Sequence, residues 1–157
     1  MMDLVLVLTC LYQLVIAMIK LEKKYIQFGS ATCFDNALDI CAQPLLDDKI
    51  ITDEYIKKIK KLVKNEGCYF VLLNRIAFAH YNTDCGSNEV GLSVLVLDDD
   101  VKCDAQDMKI MLLLSGKTKD LHLELLQFIS NKLRRGMDQK LIECKSVEDV
   151  LTIFNES

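Results

Sequence analysis

Residues 69–80 read Y-F-V-L-L-N-R-I-A-F-A-H, and the rest of the chain is best understood outward from them. Tyr69–Leu73 is an uninterrupted apolar run of strand length, and Ile76–Phe78 extends it after a two-residue break at Asn74-Arg75. His80 closes the run. The loop that follows, Tyr81-Asn82-Thr83-Asp84-Cys85-Gly86-Ser87-Asn88, is rich in turn formers. A histidine at the end of a buried strand, facing a polar loop, is well placed for chemistry. The chain has only one other, His122.

Downstream, Val90–Leu97 is dense in valine and leucine and reads as a strand buried on both faces, ended by Asp98-Asp99-Asp100. Met108–Leu114 is a further buried strand, followed by the loop Ser115-Gly116-Lys117-Thr118-Lys119. Asp120 is expected to N-cap the next helix, whose inner face reads His122, Leu125, Leu126, Ile129 and Leu133, up to Gly136. A short helical piece over Met137–Ile142 precedes a last helix. That helix opens at Ser146-Val147-Glu148-Asp149, close to a capping box, and buries Val147, Val150, Leu151 and Phe154.

Upstream, Tyr25–Phe28 suggests a short strand ending at Gly29-Ser30, and helical spacing runs from Ala31 to Leu46. Asp47-Asp48-Lys49 is a turn. Thr52 is expected to N-cap a second helix with Asp53 and Glu54 in its first turn, closed by Gly67. The order is thus strand, two helices, three strands, helices. It predicts an α+β fold, a three-layer α/β/α sandwich with a mixed β-sheet flanked by helices, formed by residues 20–157 as one domain.

Residues 1–19 form an apolar N-terminal segment, expected to be helical. Its core, 4–19, is shorter than the roughly 20 apolar residues of a membrane span and contains Thr9 and Gln13. Asp3 stands where an export signal would carry positive charge. A packed helix is the leading reading; a membrane or export segment, or a remnant of a longer upstream region, are the alternatives.

The composition is that of a globular chain: 51% hydrophobic, 27% charged and a single proline in 157 residues. A net charge of −4, with no basic stripe, argues against nucleic-acid binding. The seven cysteines are odd in number and include no C-x-x-C, so neither a zinc site nor a disulfide framework is expected. Unpaired cysteines in apolar contexts suggest a reducing compartment, and so the cytoplasm. Cys85, five residues past His80, reads as a spectator in its loop.

His80 lies at a strand end, and His122 lies in the first turn of a helix that follows another strand end. Both ends can meet at one edge of a sheet, where α/β proteins tend to place their sites. The positive end of the helix favours neutral imidazole at His122, and free N–H groups there attract anions. His80 as nucleophile, with His122 beside it, is a coherent site for phosphoryl transfer. The alternative is that either histidine is a packing residue. Two histidines without a set of carboxylates or cysteines are too few for a metal site.

In this order and spacing the residues resemble a known family, the type 2 EIIA domain of the mannitol/fructose-type sugar phosphotransferase system (PTS). The resemblance covers about residues 20–155. It rests on D-K-I-I-T-D-E-Y-I, on G-C-Y-F-V-L-L-N-R-I-A-F-A-H, on D-L-H-L-E-L-L and on K-S-V-E-D-V-L. The Gly67-x-Tyr69-Phe70-Val71 signature looks nearer the ascorbate-like and regulator-attached branches. The resemblance implies that His80 is the phosphorylated histidine and His122 the second active-site histidine, with Asn82 and Asp120 supporting the phosphoryl site. It implies no cofactor. Phosphate would arrive from the histidine-phosphorylated carrier HPr and leave to a cysteine of an EIIB partner. The membrane would be met only through the EIIC/EIIB transporter, and a homodimer is left open. The chain departs from the family pattern at Ala79, where proline is usual, at Tyr81, where a small residue is usual, and at Asn82. Leu62 stands near the place of an arginine in the mannitol branch. Two further functions compete with the transport carrier: a regulatory EIIA-like module tied to a PTS-controlled transcriptional regulator, and a relative that binds partners without being phosphorylated.

Overall fold

The computed structural model describes residues 4–5, 21–68, 70–71 and 74–155. Apart from Leu4 and Val5, the apolar segment 4–19 therefore lies outside the described residues. A four-stranded mixed sheet forms the centre, in the order β1 (Ile26–Gly29), β3 (Gly91–Cys103), β4 (Gln106–Ser115), β2 (Ile76–Ala79). β1 runs parallel to β3 and β2 parallel to β4, while β3 and β4 form an antiparallel hairpin. Among the described residues the α-helices are α1 (Phe34–Asp47), α2 (Asp53–Glu66), α3 (Lys119–Lys132), α4 (Asp138–Ile142) and α5 (Val147–Asn155), with a 3-10 turn at Lys23–Tyr25 and a π-helical segment at Leu133–Met137. Among the described residues no helix is long and apolar enough to cross a membrane.

The alternation of side chains along each strand sorts the core into two layers. Ala77, Ala79, Leu95, Leu97, Met111 and Leu113 face α1 and α2, and pack on Leu38, Leu45, Tyr55 and Ile59. Ile76, Phe78, Val94, Val96, Ile110 and Leu112 face the other way, onto Leu125, Ile129, Leu133, Leu141 and Val150. Burial on both faces is why these strands read as continuous apolar runs. The expected sandwich is present.

Several local expectations change. Of the run Tyr69–Leu73 only Phe70 and Val71 are described, and they do not form one strand with Ile76–Phe78: the chain reverses at Asn74 and Arg75, which have φ of 53° and 64°. Val71 then bridges antiparallel to Ala77, and the Phe78 N–H donates to the Phe70 carbonyl at 2.8 Å. Apolar patterning carries no sign of direction, and the two left-handed residues at the break supply it. Nor does β3 stop at Asp98-Asp99-Asp100. The register shifts between Val96 and Val101, and the strand continues to Cys103. β1 pairs only as far as Leu97, so the three aspartates lie beyond it, exposed on an open strand edge where charge is tolerated. Arg75 pairs with Asp100 there at 2.7 Å.

The cysteine reading is also corrected. Cys68, just past the helix-closing Gly67, is joined by a disulfide to Cys103 at the end of β3, with Cα atoms 5.6 Å apart. A pair 35 residues apart leaves no trace in short-range spacing, while Cys33, Cys41, Cys85 and Cys144 stay free.

Helix starts differ in detail. Thr52 occupies the N-cap position of α2 without a side-chain cap bond. The N-cap of α3 is Thr118, whose Oγ1 accepts from the Leu121 N–H at 3.3 Å; Asp120 sits inside the first turn. At α5, Ser146 Oγ accepts from the Asp149 N–H, and the Asp149 carboxylate accepts from the Lys145 N–H. Of the four apolar residues expected to be buried there, Val150 is fully buried and Val147, Leu151 and Phe154 are half-buried.

Candidate active site

The parallel pairing of β2 with β4, in the register Ala79↔Leu113, brings their C-terminal ends to one edge of the sheet. His80 follows β2 directly, and α3 begins four residues after β4 ends. The alternation that turns Ile76 and Phe78 toward α3 carries His80 to the same side. The two imidazoles meet there, with ring centroids 6.0 Å apart and planes at 57°. They line a cavity of about 550 Å³ with Leu62, Tyr81, Asn82, Thr83, Asp84, Lys119, Leu123 and Leu126.

His80 is held on three sides. The rings of Phe70 and Phe78 meet it edge-on at 5.4 and 6.0 Å. Its Nδ1 lies 3.0 Å from the Phe78 carbonyl oxygen, a pairing that assigns the proton to Nδ1. The lone pair is then on Nε2. Burial holds the His80 pKa below the usual histidine value, and the Phe78 carbonyl acts weakly the other way.

His122 is 5% exposed, and neither ring nitrogen has a hydrogen-bond partner. A neutral imidazole carries one N–H, so His122 holds a buried donor with nothing to donate to. Such a group costs on the order of 1–3 kcal/mol, and natural proteins keep it where a ligand or a reaction uses it. Burial pushes the His122 pKa down to about 4, with His80 adding to the effect. The Tyr81 backbone opposes the shift, although no hydrogen bond of ordinary geometry reaches the ring.

A histidine whose folded pKa lies below its unfolded value contributes stability that is complete above about pH 6.5 and is lost as pH falls toward 4. In that window the unfolded chain binds the proton first. Wild type should therefore lose up to about 1.4 kcal/mol per pH unit from this group, and His122→Ala should show a shallower slope in urea titrations between pH 6.5 and 4. Equal slopes would show that His122 is not held neutral.

Three further residues place the pair, and sequence patterning singled out none of them for the site. Gly116 packs against the His122 ring: a Cβ there would lie 2.7 Å from His122 Cβ and 2.8 Å from Nδ1. Ser87 fixes that glycine, donating from Oγ to the Gly116 carbonyl at 2.7 Å and accepting from its N–H at 2.8 Å. Tyr55, fully buried on α2, donates to the Leu114 carbonyl at 2.6 Å and accepts from the Tyr81 N–H at 2.9 Å. One phenol thus joins the end of β4 to the residue after His80. Tyr55→Phe would remove both of these bonds and should cost about 2 kcal/mol, read from the urea midpoint. An unchanged midpoint would show that the hydroxyl ties nothing together.

Of the four expected site residues, the structure brings His80, His122 and Asn82 to one cavity. Asp120 is exposed in the first turn of α3 and does not line it; Cys85 does not line it either. Among the described residues no group of three or more His, Cys, Asp or Glu side chains could hold a metal ion.

Residues 18–157 match the family model described as phosphoenolpyruvate-dependent sugar phosphotransferase system, EIIA 2. The chain belongs to this family. The mannitol-specific cryptic phosphotransferase enzyme IIA component of Escherichia coli is 31% identical to this EIIA chain over 129 residues, which span 81% of the chain and 82% of the relative. The solution structure of the mannitol-specific cryptic enzyme IIA CmtB from E. coli superposes with a TM-score of 0.82 at 25% identity, covering 91% of this chain and 99% of that one. A second solved structure, the complex of E. coli IIA-mannitol with phosphorylated IIB-mannitol, matches with a TM-score of 0.75 at 16% identity over 88% and 99% of the two chains. That likeness is one of fold. The EIIA chain is thus a phosphotransferase component of a sugar phosphotransferase system.

Proposed function

We propose that this EIIA is a phosphocarrier that accepts a phosphoryl group on His80 from phospho-HPr and passes it to a cysteine of an EIIB partner for sugar uptake. The observation that carries the reading is the pair of facing imidazoles, one with its lone pair at Nε2 and one with an unused donor. In the first half, Nε2 of His80 forms a bond to phosphorus as the N–P bond of the donor histidine breaks, and the electron pair stays on the donor imidazole. The Nδ1 proton remains in place, and the Phe78 carbonyl supports the positive charge gained by the ring. In the second half, a partner thiolate forms an S–P bond and the N–P electron pair returns to Nε2. His122 donates its N–H to a phosphoryl oxygen, filling the hydrogen bond it otherwise lacks.

Burial supports this division of labour, because a histidine held neutral near pH 7 is a ready nucleophile. The solved complex of a fold relative with phosphorylated IIB supports an EIIB as the acceptor. A cytoplasmic carrier fits this chemistry. The test is intact-mass spectrometry after incubation with phosphoenolpyruvate, enzyme I and HPr. A gain of one acid-labile phosphate is expected; no gain on folded protein with active carriers would overturn the reading.

A further inference from the structure

We propose that Lys119 is a catalytic residue whose ammonium meets the phosphoryl group while it is carried on His80. The inference rests on the carrier reading and deepens it. A phosphoryl group brings nearly two negative charges into the cavity. Most of the wall there is uncharged: the Tyr81, Asn82 and Thr83 side chains, and two imidazoles held neutral by burial. Asp84 lines the same cavity and is negative, so it works against the incoming group. Among the described residues lining it, Lys119 is the one lysine or arginine.

Its surroundings leave it available. Lys119 is the first residue of α3, three positions before His122, and is exposed on the cavity rim. Nearby Lys117 pairs with Glu89 at 3.5 Å, whereas among the described residues Lys119 forms no ion pair, with Asp84 or any other carboxylate. The unpartnered ring of His122 in the same cavity marks an independent place for an acceptor oxygen. One neutral donor and one cation then share the phosphoryl oxygens. A lysine suits this task because its ammonium is a compact charge on a flexible stem and can follow a group that arrives and leaves.

Phosphoramidate separates chemistry from docking. It is a small donor whose P–N bond breaks with release of ammonia as His80 Nε2 takes the phosphoryl group, and no protein has to bind. The experiment follows labelling of His80 at saturating phosphoramidate, and in parallel from phospho-HPr, for wild type, Lys119→Met and Lys119→Arg, with melting curves as a folding control. Lys119→Met should slow labelling by both donors about tenfold or more, the loss expected for one charge-assisted hydrogen bond, and Lys119→Arg should stay within about threefold of wild type. Wild-type phosphoramidate labelling in Lys119→Met would overturn the proposal. Loss confined to phospho-HPr would also overturn it, by making Lys119 a docking residue. A different pattern, no labelling of wild-type His80 by either donor, would remove the carrier reading itself.

Discussion

His80→Ala should accept no phosphate at all. The expected loss is complete because the reaction is a transfer onto one lone pair, and no other side chain in the cavity offers an equivalent. His122 lies 6.0 Å away but is nearly fully enclosed, 5% exposed. The change removes two edge-on ring contacts with Phe70 and Phe78 and the bond to the Phe78 carbonyl, so a stability cost of about 1–2 kcal/mol is expected. That is small enough to leave the sheet intact, since Ala79 and Phe78 beneath it stay buried. The decisive measurement is the intact mass of the folded variant after exposure to phosphoenolpyruvate, enzyme I and HPr, beside wild type. Phosphate retained by the variant would move the site away from His80.

His122→Ala should slow transfer about 100-fold while leaving slow labelling of His80, the scale seen when one preorganised donor to a developing charge is lost. Its signature should separate it from a packing residue. A packing histidine would be missed in stability at every pH. The site histidine is a buried donor without a partner, so its removal relieves a penalty as well as a contact, and the rate should fall far more than the stability. Single-turnover rates and urea midpoints on one preparation would show this. A stability loss with an unchanged rate would demote His122 to packing. The two substitutions should also divide the reaction: without His80 nothing should be carried, and without His122 the same group should be carried slowly.

Much of this arrangement was legible in the residues. The runs Val90–Leu97 and Met108–Leu114 stand out because burial on both sheet faces leaves little polar alternation to blur them. The inner face of α3 was read with His122 on it, because spacings of three and four residues survive independently of what the helix packs against. What escaped was information that exists only between distant segments. The reversal at Asn74-Arg75 depends on two backbone angles, and the bond from Tyr55 to Leu114 spans 59 residues. Ser87 reads as one turn former among many until Gly116 is placed against it. The Cys68–Cys103 link is of the same kind, a neighbourhood created by the fold. Lys119 looked like loop charge because the cavity it borders is assembled from α2, the His80 loop and α3.

The parallel seam between β2 and β4 has a bearing on divergence. The gap between the two imidazoles is inherited from the pairing of four residues with four, Ile76–Ala79 against Ile110–Leu113. The strand pair acts as a ruler with fixed graduations: a one-residue slip would turn His80 to the opposite face, and no gradual stretching is available. A lineage can therefore rewrite its helical surfaces and most of its loops without retuning the site, provided those eight positions stay apolar and in step.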